Sequence, residues 1–228
     1  AARVNSSLES CPRLVVSAPP GAGKSTVLPL AILDISGNGK VVMLEPRRIA
    51  ARQIALRMAS LLGEAVGETV GYRVRFETKV SEITRLEVVT EGILTRMLID
   101  DPTLEGISAL IFDEFHERSL NCDLALALSL ECQKLVRPEL RIVLMSATID
   151  ADSVCQVLDA PQICAQGRMY PVDIRCSDVV ADEENVAQMV AHQIRISLRD
   201  DEGDILAFLP GEASIRRCEE LLSTLEDV

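Results

Sequence analysis

Residues 14–17 read Leu-Val-Val-Ser, and the chain then runs Ala18-Pro19-Pro20-Gly21-Ala22-Gly23-Lys24-Ser25-Thr26. A short apolar strand that enters a turn of small residues and leaves through Lys-Ser toward a helix permits few local folds. The backbone N–H groups of such a loop converge on one point, and the following helix adds the positive end of its dipole. Together they form an anion cradle around Gly21, Ala22 and Gly23. Gly21 and Gly23 suit positive φ and close approach by a ligand. Lys24 is placed to reach the β- and γ-phosphates of a bound nucleotide, and Ser25 to ligate Mg²⁺, with Thr26 as a second hydroxyl. The strict pattern has Gly where this chain has Ala18, but a small side chain suffices at that turn. The helix is expected to begin near Gly23 and to kink or unwind at Pro29. The competing reading is a glycine-proline loop with an incidental lysine.

The rest of the chain repeats the alternation. Apolar runs at 14–17, 41–44, 86–89, 110–112, 142–145 and 205–209 are rich in Val, Ile and Leu without a period of two, as expected of strands buried on both faces. Helical patterns lie between them, at 49–62 and 123–135 for example. Strand–helix alternation predicts an α/β fold with a parallel sheet covered on both sides. Gly167 and Pro171 mark a connection over 167–182, separating a domain at 1–166 from a second unit at 183–228. That unit is predicted to hold a helix at 183–199, a strand at 205–209 and a helix from about Glu212. A complete second α/β domain needs about 100 further residues, so the second unit is expected to be incomplete.

Residues 109–118 read Ala-Leu-Ile-Phe-Asp-Glu-Phe-His-Glu-Arg. Successive strand residues point to opposite faces, so Asp113 and Glu114 can serve one site only where the strand ends. Ligands of open α/β sheets bind at that edge. Asp113 is expected to hold Mg²⁺ through water, and Glu114 to orient the water that attacks the γ-phosphate. A surface acidic pair after a strand is the bland alternative. His116, two residues on, is placed to link the nucleotide site to another element by hydrogen bonding. His192 reads as a surface or packing residue.

Composition narrows the class. The net charge is −12 over 228 residues, with aromatics at 3% and no Trp. Stacking of bases on aromatic platforms is therefore a poor basis for nucleic-acid binding, whereas a local basic groove on an acidic protein is not excluded. Seven scattered cysteines without a Cys-x-x-Cys pair argue against zinc and fit reduced thiols in a cytoplasmic protein. No apolar run is long enough to span a membrane.

Four more signatures occur in order: Glu45-Pro46-Arg47-Arg48-Ile49-Ala50-Ala51, Thr90-Glu91-Gly92-Ile93-Leu94, Ser146-Ala147-Thr148, and Phe208-Leu209-Pro210-Gly211-Glu212. With Asp113-Glu114-Phe115-His116 they resemble the superfamily 2 helicases of the DEAH/RHA type, and a bacterial branch in which the acidic motif carries Phe where the eponymous box has Ala. The resemblance implies a RecA-like P-loop NTPase domain followed by the start of a second, incomplete RecA-like domain, with ATP held between such domains and single-stranded nucleic acid, RNA by family, across their tops. It implies that Ser146 and Thr148 couple nucleotide state to strand grip. Arg47 and Arg48 would contact the sugar-phosphate backbone, as would Thr90 and Gly92 through hydroxyl and N–H. Such contacts carry no sequence information. Cations at a helix start oppose the helix dipole, which favours a functional role for the arginine pair.

Tyr72, Arg73 and Arg75 read as an ordinary edge strand with no assigned contact. The family's later glycine-arginine motif does not occur before Val228, so the 228 residues alone are expected to bind nucleotide weakly and hydrolyse it slowly. Other classes stay open: a P-loop ATPase that translocates or remodels without unwinding, and a non-catalytic RNA-binding module. A small-molecule kinase explains neither the arginine pair nor Ser146-Ala147-Thr148.

Overall fold

The computed structural model describes residues 2–19, 21–146, 151–165, 171–176, 182 and 185–223. The chain separates into two compact units, Ala1–Met169 and Tyr170–Val228. In chain order the first unit contains α1 (Ala2–Ser10), β1 (Arg13–Ser17), α2 (Val27–Asp34), β2 (Lys40–Leu44), α3 (Arg48–Leu62), β3 (Val70–Val74), β4 (Glu77–Lys79), β5 (Leu86–Val89) and α4 (Glu91–Asp100). It continues through β6 (Ile107–Phe112), a 3-10 turn (Phe115–Glu117), α5 (Leu120–Leu135), β7 (Arg141–Ser146), α6 (Ala151–Leu158) and β8 (Gln162–Cys164).

The strands form one sheet in the order β4-β3-β5-β2-β6-β7-β1-β8. Every pairing is parallel except β3 with β4. The central strands are buried almost without interruption, as in Leu14, Val15, Val41–Leu44 and Leu110–Phe112. Their two faces feed two cores. One gathers Leu14, Val16, Ile32, Val41, Met43 and Met58; the other gathers Val15, Val42, Leu44, Leu110, Phe112 and Leu126. At about 25 cal/mol per Å² of apolar area, burial on both faces is the main favourable term holding such a sheet.

Several sequence expectations change. The segment around Tyr72 is not an edge strand: β3 pairs with β5 on one side and with β4 on the other. The chain reverses at Arg75-Phe76, where Phe76 adopts φ 70°, and the short β4 covers β3's free edge. The helix expected near Gly23 begins at Val27. Pro29 has no N–H to give the Ser25 carbonyl, so a regular ladder cannot run back through the loop.

The second unit contains α7 (Val186–Asp200) and α8 (Glu212–Leu222). They pack through Ala187, Ala191, Cys218 and Leu222. The strand expected at 205–209 is absent. That stretch is irregular, with Leu206 and Phe208 exposed. A strand exists through the ladder it shares with a neighbour, and the described residues of this unit supply none. The helix expected from 183 is seen from Val186, and most of the expected connection at 167–182 lies outside the described residues.

Candidate nucleotide and nucleic-acid site

β1, β2, β5, β6 and β7 all end on one edge of the sheet, because parallel strands share a direction. The predicted site residues hang from those ends.

The loop after β1 turns through Gly21 and Gly23 at φ 79° and 76°. A Cβ on Gly23 would also meet Val27 Cγ2 at 3.2 Å. The Val27 N–H closes onto the Gly23 carbonyl at 2.8 Å, winding the loop around Ala22, Lys24 and Ser25. Thr26 precedes α2 and makes no side-chain cap. Lys24, although charged, is only 8% exposed. Its cost of burial is offset across the edge: Lys24 Nζ lies 3.2 Å from Glu114 Oε1.

The acid pair stands at the end of β6. Asp113 donates its N–H to the Leu44 carbonyl at 2.9 Å, which aligns it with the end of β2. Glu114 then leaves the strand in a left-handed conformation, φ 48° and ψ 36°, and this breaks the two-face alternation. Asp113 is 1% exposed. Its Oδ1 accepts the Glu114 N–H at 2.8 Å, while Oδ2 is buried with no hydrogen-bond partner. Burial raises the Asp113 pKa; the Ser25 hydroxyl facing it and the Glu114 N–H oppose that rise, Glu114's charge adds to it, and Lys24 opposes it. An orphaned buried carboxylate oxygen beside a hydroxyl suits a hard cation. Among the described residues no cluster of three or more His, Cys, Asp or Glu could hold a metal. Mg²⁺ does not require one, since it is ordinarily bound through one or two carboxylates with water and substrate phosphates.

His116 Nδ1 lies 3.3 Å from Glu114 Oε2, an ion-pair distance without the alignment of a good hydrogen bond. It belongs to the same short turn as Phe115, whose ring is buried in the core. Ser146 ends β7 fully buried, opposite Ser17 of β1, and its carbonyl accepts the Ala18 N–H at 3.1 Å. Thr148 lies outside the described residues.

Arg47 precedes α3 in extended conformation, and its Nη2 bonds to Glu117 Oε1 at 2.5 Å. Arg48 opens α3 and donates to the Arg75 carbonyl at 2.8 Å. Thr90 caps α4 from the end of β5 without a side-chain cap bond, and Gly92 sits in the first turn with open space where a Cβ would be. The edge thus brings Lys24, Ser25, Asp113, Glu114 and His116 together, and ties Arg47 to the same loop.

Two acids gain weight that sequence reasoning did not give them. Glu45 follows β2 and is 2% exposed. Burial pushes its pKa up to about 7; the Arg47 N–H counters this, and the charges of Asp113, Glu114 and Glu117 add to the rise. The other is Glu117. Both stood in quoted motifs. The signal available was adjacency: Glu45 and Asp113 follow neighbouring strands.

A parallel sheet with a glycine loop after one strand and a buried acid ending a near neighbour is the arrangement of a P-loop nucleotide-binding protein. Residues 3–157 match the DEAD/DEAH box helicase family, and the chain belongs to that family. It is 49% identical to the ATP-dependent RNA helicase HrpB of Escherichia coli over 95% of this chain and 27% of that protein. It is 34% identical to the probable ATP-dependent RNA helicase DHR2 of Saccharomyces cerevisiae, over 97% of this chain and 31% of that protein. The crystal structure of the Escherichia coli DEAH/RHA helicase HrpB superposes with a TM-score of 0.90 at 48% identity, over 98% of this chain and 29% of that one. The chain therefore spans about a quarter to a third of the length of these relatives. No helix among the described residues is long and apolar enough to cross a membrane.

Proposed function

We propose that this chain carries the nucleotide-binding core of an ATP-dependent RNA helicase that couples ATP hydrolysis to movement along single-stranded RNA. The observation that supports this most is the meeting of Lys24 with Glu114 above a buried Asp113. In this reading Gly21, Ala22, Gly23 and Lys24 hold the triphosphate, assisted by Thr26. Ser25 and Asp113 hold Mg²⁺, which when bound neutralises charge developing on the phosphates. Glu114 orients the attacking water and withdraws its proton, and Lys24 stabilises charge on the β- and γ-oxygens. His116 steadies Glu114 rather than acting as a base. Ser146 and Thr148 pass the nucleotide state onward, and Arg47, Arg48, Thr90 and Gly92 grip the backbone. The domain roles follow the family: residues 1–166 form the ATP-binding domain, and 183–228 begin the second RecA-like domain after the 167–182 connection. The absence of a membrane-spanning helix among the described residues and the seven free cysteines suit a cytoplasmic protein.

The preference for RNA rests on what the relatives are named for. The test is phosphate release by the whole gene product, with and without single-stranded RNA, alongside displacement of a tailed RNA duplex. RNA-stimulated release with displacement supports the helicase. Release without displacement supports a translocating or remodelling ATPase. RNA binding with no hydrolysis supports a non-catalytic module.

A further inference from the structure

The loop after β6 has two ends with different partners. Its first residues are the buried acids. Its later residues carry two ties to elements assigned above to the nucleic acid. Glu117 holds the Arg47 guanidinium at 2.5 Å. Ser119 donates its hydroxyl to Glu91 Oε1 at 2.5 Å, and Glu91 stands between Thr90 and Gly92. Inside the loop, the Glu117 N–H bonds to the Glu114 carbonyl at 2.9 Å. A displacement of Glu117 is thus felt one turn away, at the residue whose carboxylate lies between Lys24 and His116.

Glu114 and Arg118 flank the turn at φ 48° and 45°. Such conformations are costly for residues with a Cβ and persist where the surroundings hold them. Lys24 on Glu114 and Asp123 on Arg118 hold the two residues themselves, and the ties at Glu117 and Ser119 hold the turn between and after them. They differ in strength of hold. The Arg47–Glu117 pair is open to water, with side chains 71% and 31% exposed. Ion pairs of that exposure are weak and screened by salt. A phosphate offers the guanidinium a bidentate partner of the same sign as Glu117. Arg48, next in sequence, is held by a neutral carbonyl instead.

We propose that Glu117 is a positioning residue that couples nucleic-acid binding to the acid pair. It holds Arg47 when no strand is bound. A backbone phosphate then takes Arg47 from it and releases one of the two ties on the loop that carries Glu114. This rests on the reading of Arg47 as a backbone contact. The step is an exchange of ionic partners, with no covalent bond made or broken.

The test uses the whole gene product, a fluorescent oligo(U) strand as probe, and ATP turnover with and without that strand. Glu117→Gln keeps the shape and removes the charge. At low salt its affinity for oligo(U) rises about two- to five-fold, the scale of one exposed ion pair. Strand-free turnover rises, so the stimulation ratio falls by about two-fold or more, while turnover at saturating strand stays unchanged. In an Arg47→Gln background the same substitution brings no gain in affinity. An equal gain in both backgrounds overturns the proposal, since it signals only the field of one lost charge. Unchanged affinity and stimulation in Glu117→Gln also overturn it. Glu117→Asp guards against a variant that fails to fold: the charge stays but the reach shortens, and affinity still rises. An unchanged affinity there, with wild-type melting, counts against the latch. If the wild-type protein binds no oligo(U) at all, the assignment of Arg47 fails, and the latch fails with it.

Discussion

Lys24 and Arg47 lie at opposite ends of one loop, each facing a glutamate of that loop. Lys24 is 3.2 Å from Glu114, and Arg47 is 2.5 Å from Glu117. Distance alone would rank the second pair as the stronger. Burial reverses the order. Lys24 and its neighbour Asp113 are withdrawn from water, where charges interact strongly and an unmatched one is expensive. Arg47 stands in solvent, where Coulomb attraction is small and side-chain freedom competes with it. One end of the loop is built to keep its partners and the other to exchange them. The proposed function places chemistry at the first end and the proposed latch places regulation at the second.

If that division is right, the largest effect on turnover comes from the buried end. Glu114→Gln should lower ATP turnover by about 10²- to 10⁴-fold, the usual contribution of a positioned general base. Nucleotide binding should persist, since glutamine keeps the shape and relieves Lys24 of a competing anion. Phosphate release and nucleotide binding, measured on the same preparation, decide it. An Arg47→Gln variant that lost strand-free turnover more severely than Glu114→Gln would break the comparison outright.

Glu45 gives the next effect, in stability. Its folded pKa, about 7, lies above the ordinary 4.5, so the folded state binds the extra proton. Stability is whole below about pH 4.5 and declines as pH rises through 7. A shift of that size corresponds to about 3 kcal/mol. Glu45→Gln should therefore raise stability by about 2–3 kcal/mol at pH 8 and leave it unchanged at pH 4.5, in the absence of nucleotide and divalent metal. Denaturant unfolding at the two pH values measures this. A variant equally stabilised at both values would mean that Glu45 is not the titrating group.

A smaller effect lies at the last residue of the loop. Ser119 caps α5 by accepting the Cys122 N–H at 3.0 Å while donating to Glu91. Ser119→Ala should cost about 1 kcal/mol, as lost caps do, lowering the melting temperature by about 2–4 °C. A loss of RNA stimulation beyond the loss of stability would show that this tie also carries coupling.

How far the sequence revealed these features follows from how local each one is. The strands at 14–17 and 41–44 were legible because both-face burial demands nearly continuous apolar runs, and the one at 86–89 despite Glu87, which is buried against Lys40 and Arg73; β1, β2 and β5 contain them within a residue. The tight turn after β1 was legible because two glycines within three residues are what positive φ requires, and Gly21 and Gly23 adopt it. Three-residue β4 and β8 were not, since pairing with β3 and β1 makes them strands and their own residues hardly do. The 205–209 run shows the converse: an apolar pattern without a neighbour to complete its ladder. Glu45 and Glu117 escaped for a related reason. Glu45 takes its raised pKa first from burial and then from charges including Asp113, and Glu117 its tie from Arg47; both surroundings are built by residues distant in sequence that meet because parallel strands end on one edge.

The smallest predicted effect separates the two arginines. Both should contribute a backbone phosphate contact, so losing either should reduce the slope of log affinity against log salt by about 0.7 on a single strand. Arg48→Gln should weaken oligo(U) binding a few-fold at low salt, fading as ionic strength rises. The arginines differ in what they give up to bind. Arg48 leaves a carbonyl acceptor, which carries no charge to be released into the acid loop, whereas Arg47 leaves a carboxylate. Arg48→Gln should accordingly weaken binding by the same factor whether residue 117 is Glu or Gln, while the cost of Arg47→Gln should grow once Glu117 no longer competes for it. Titrations of the wild type, Glu117→Gln and each arginine variant in both backgrounds, at two salt concentrations, read this directly. Equal dependence of both arginines on residue 117 would mean that the loop answers to the surrounding field and not to one exchangeable partner.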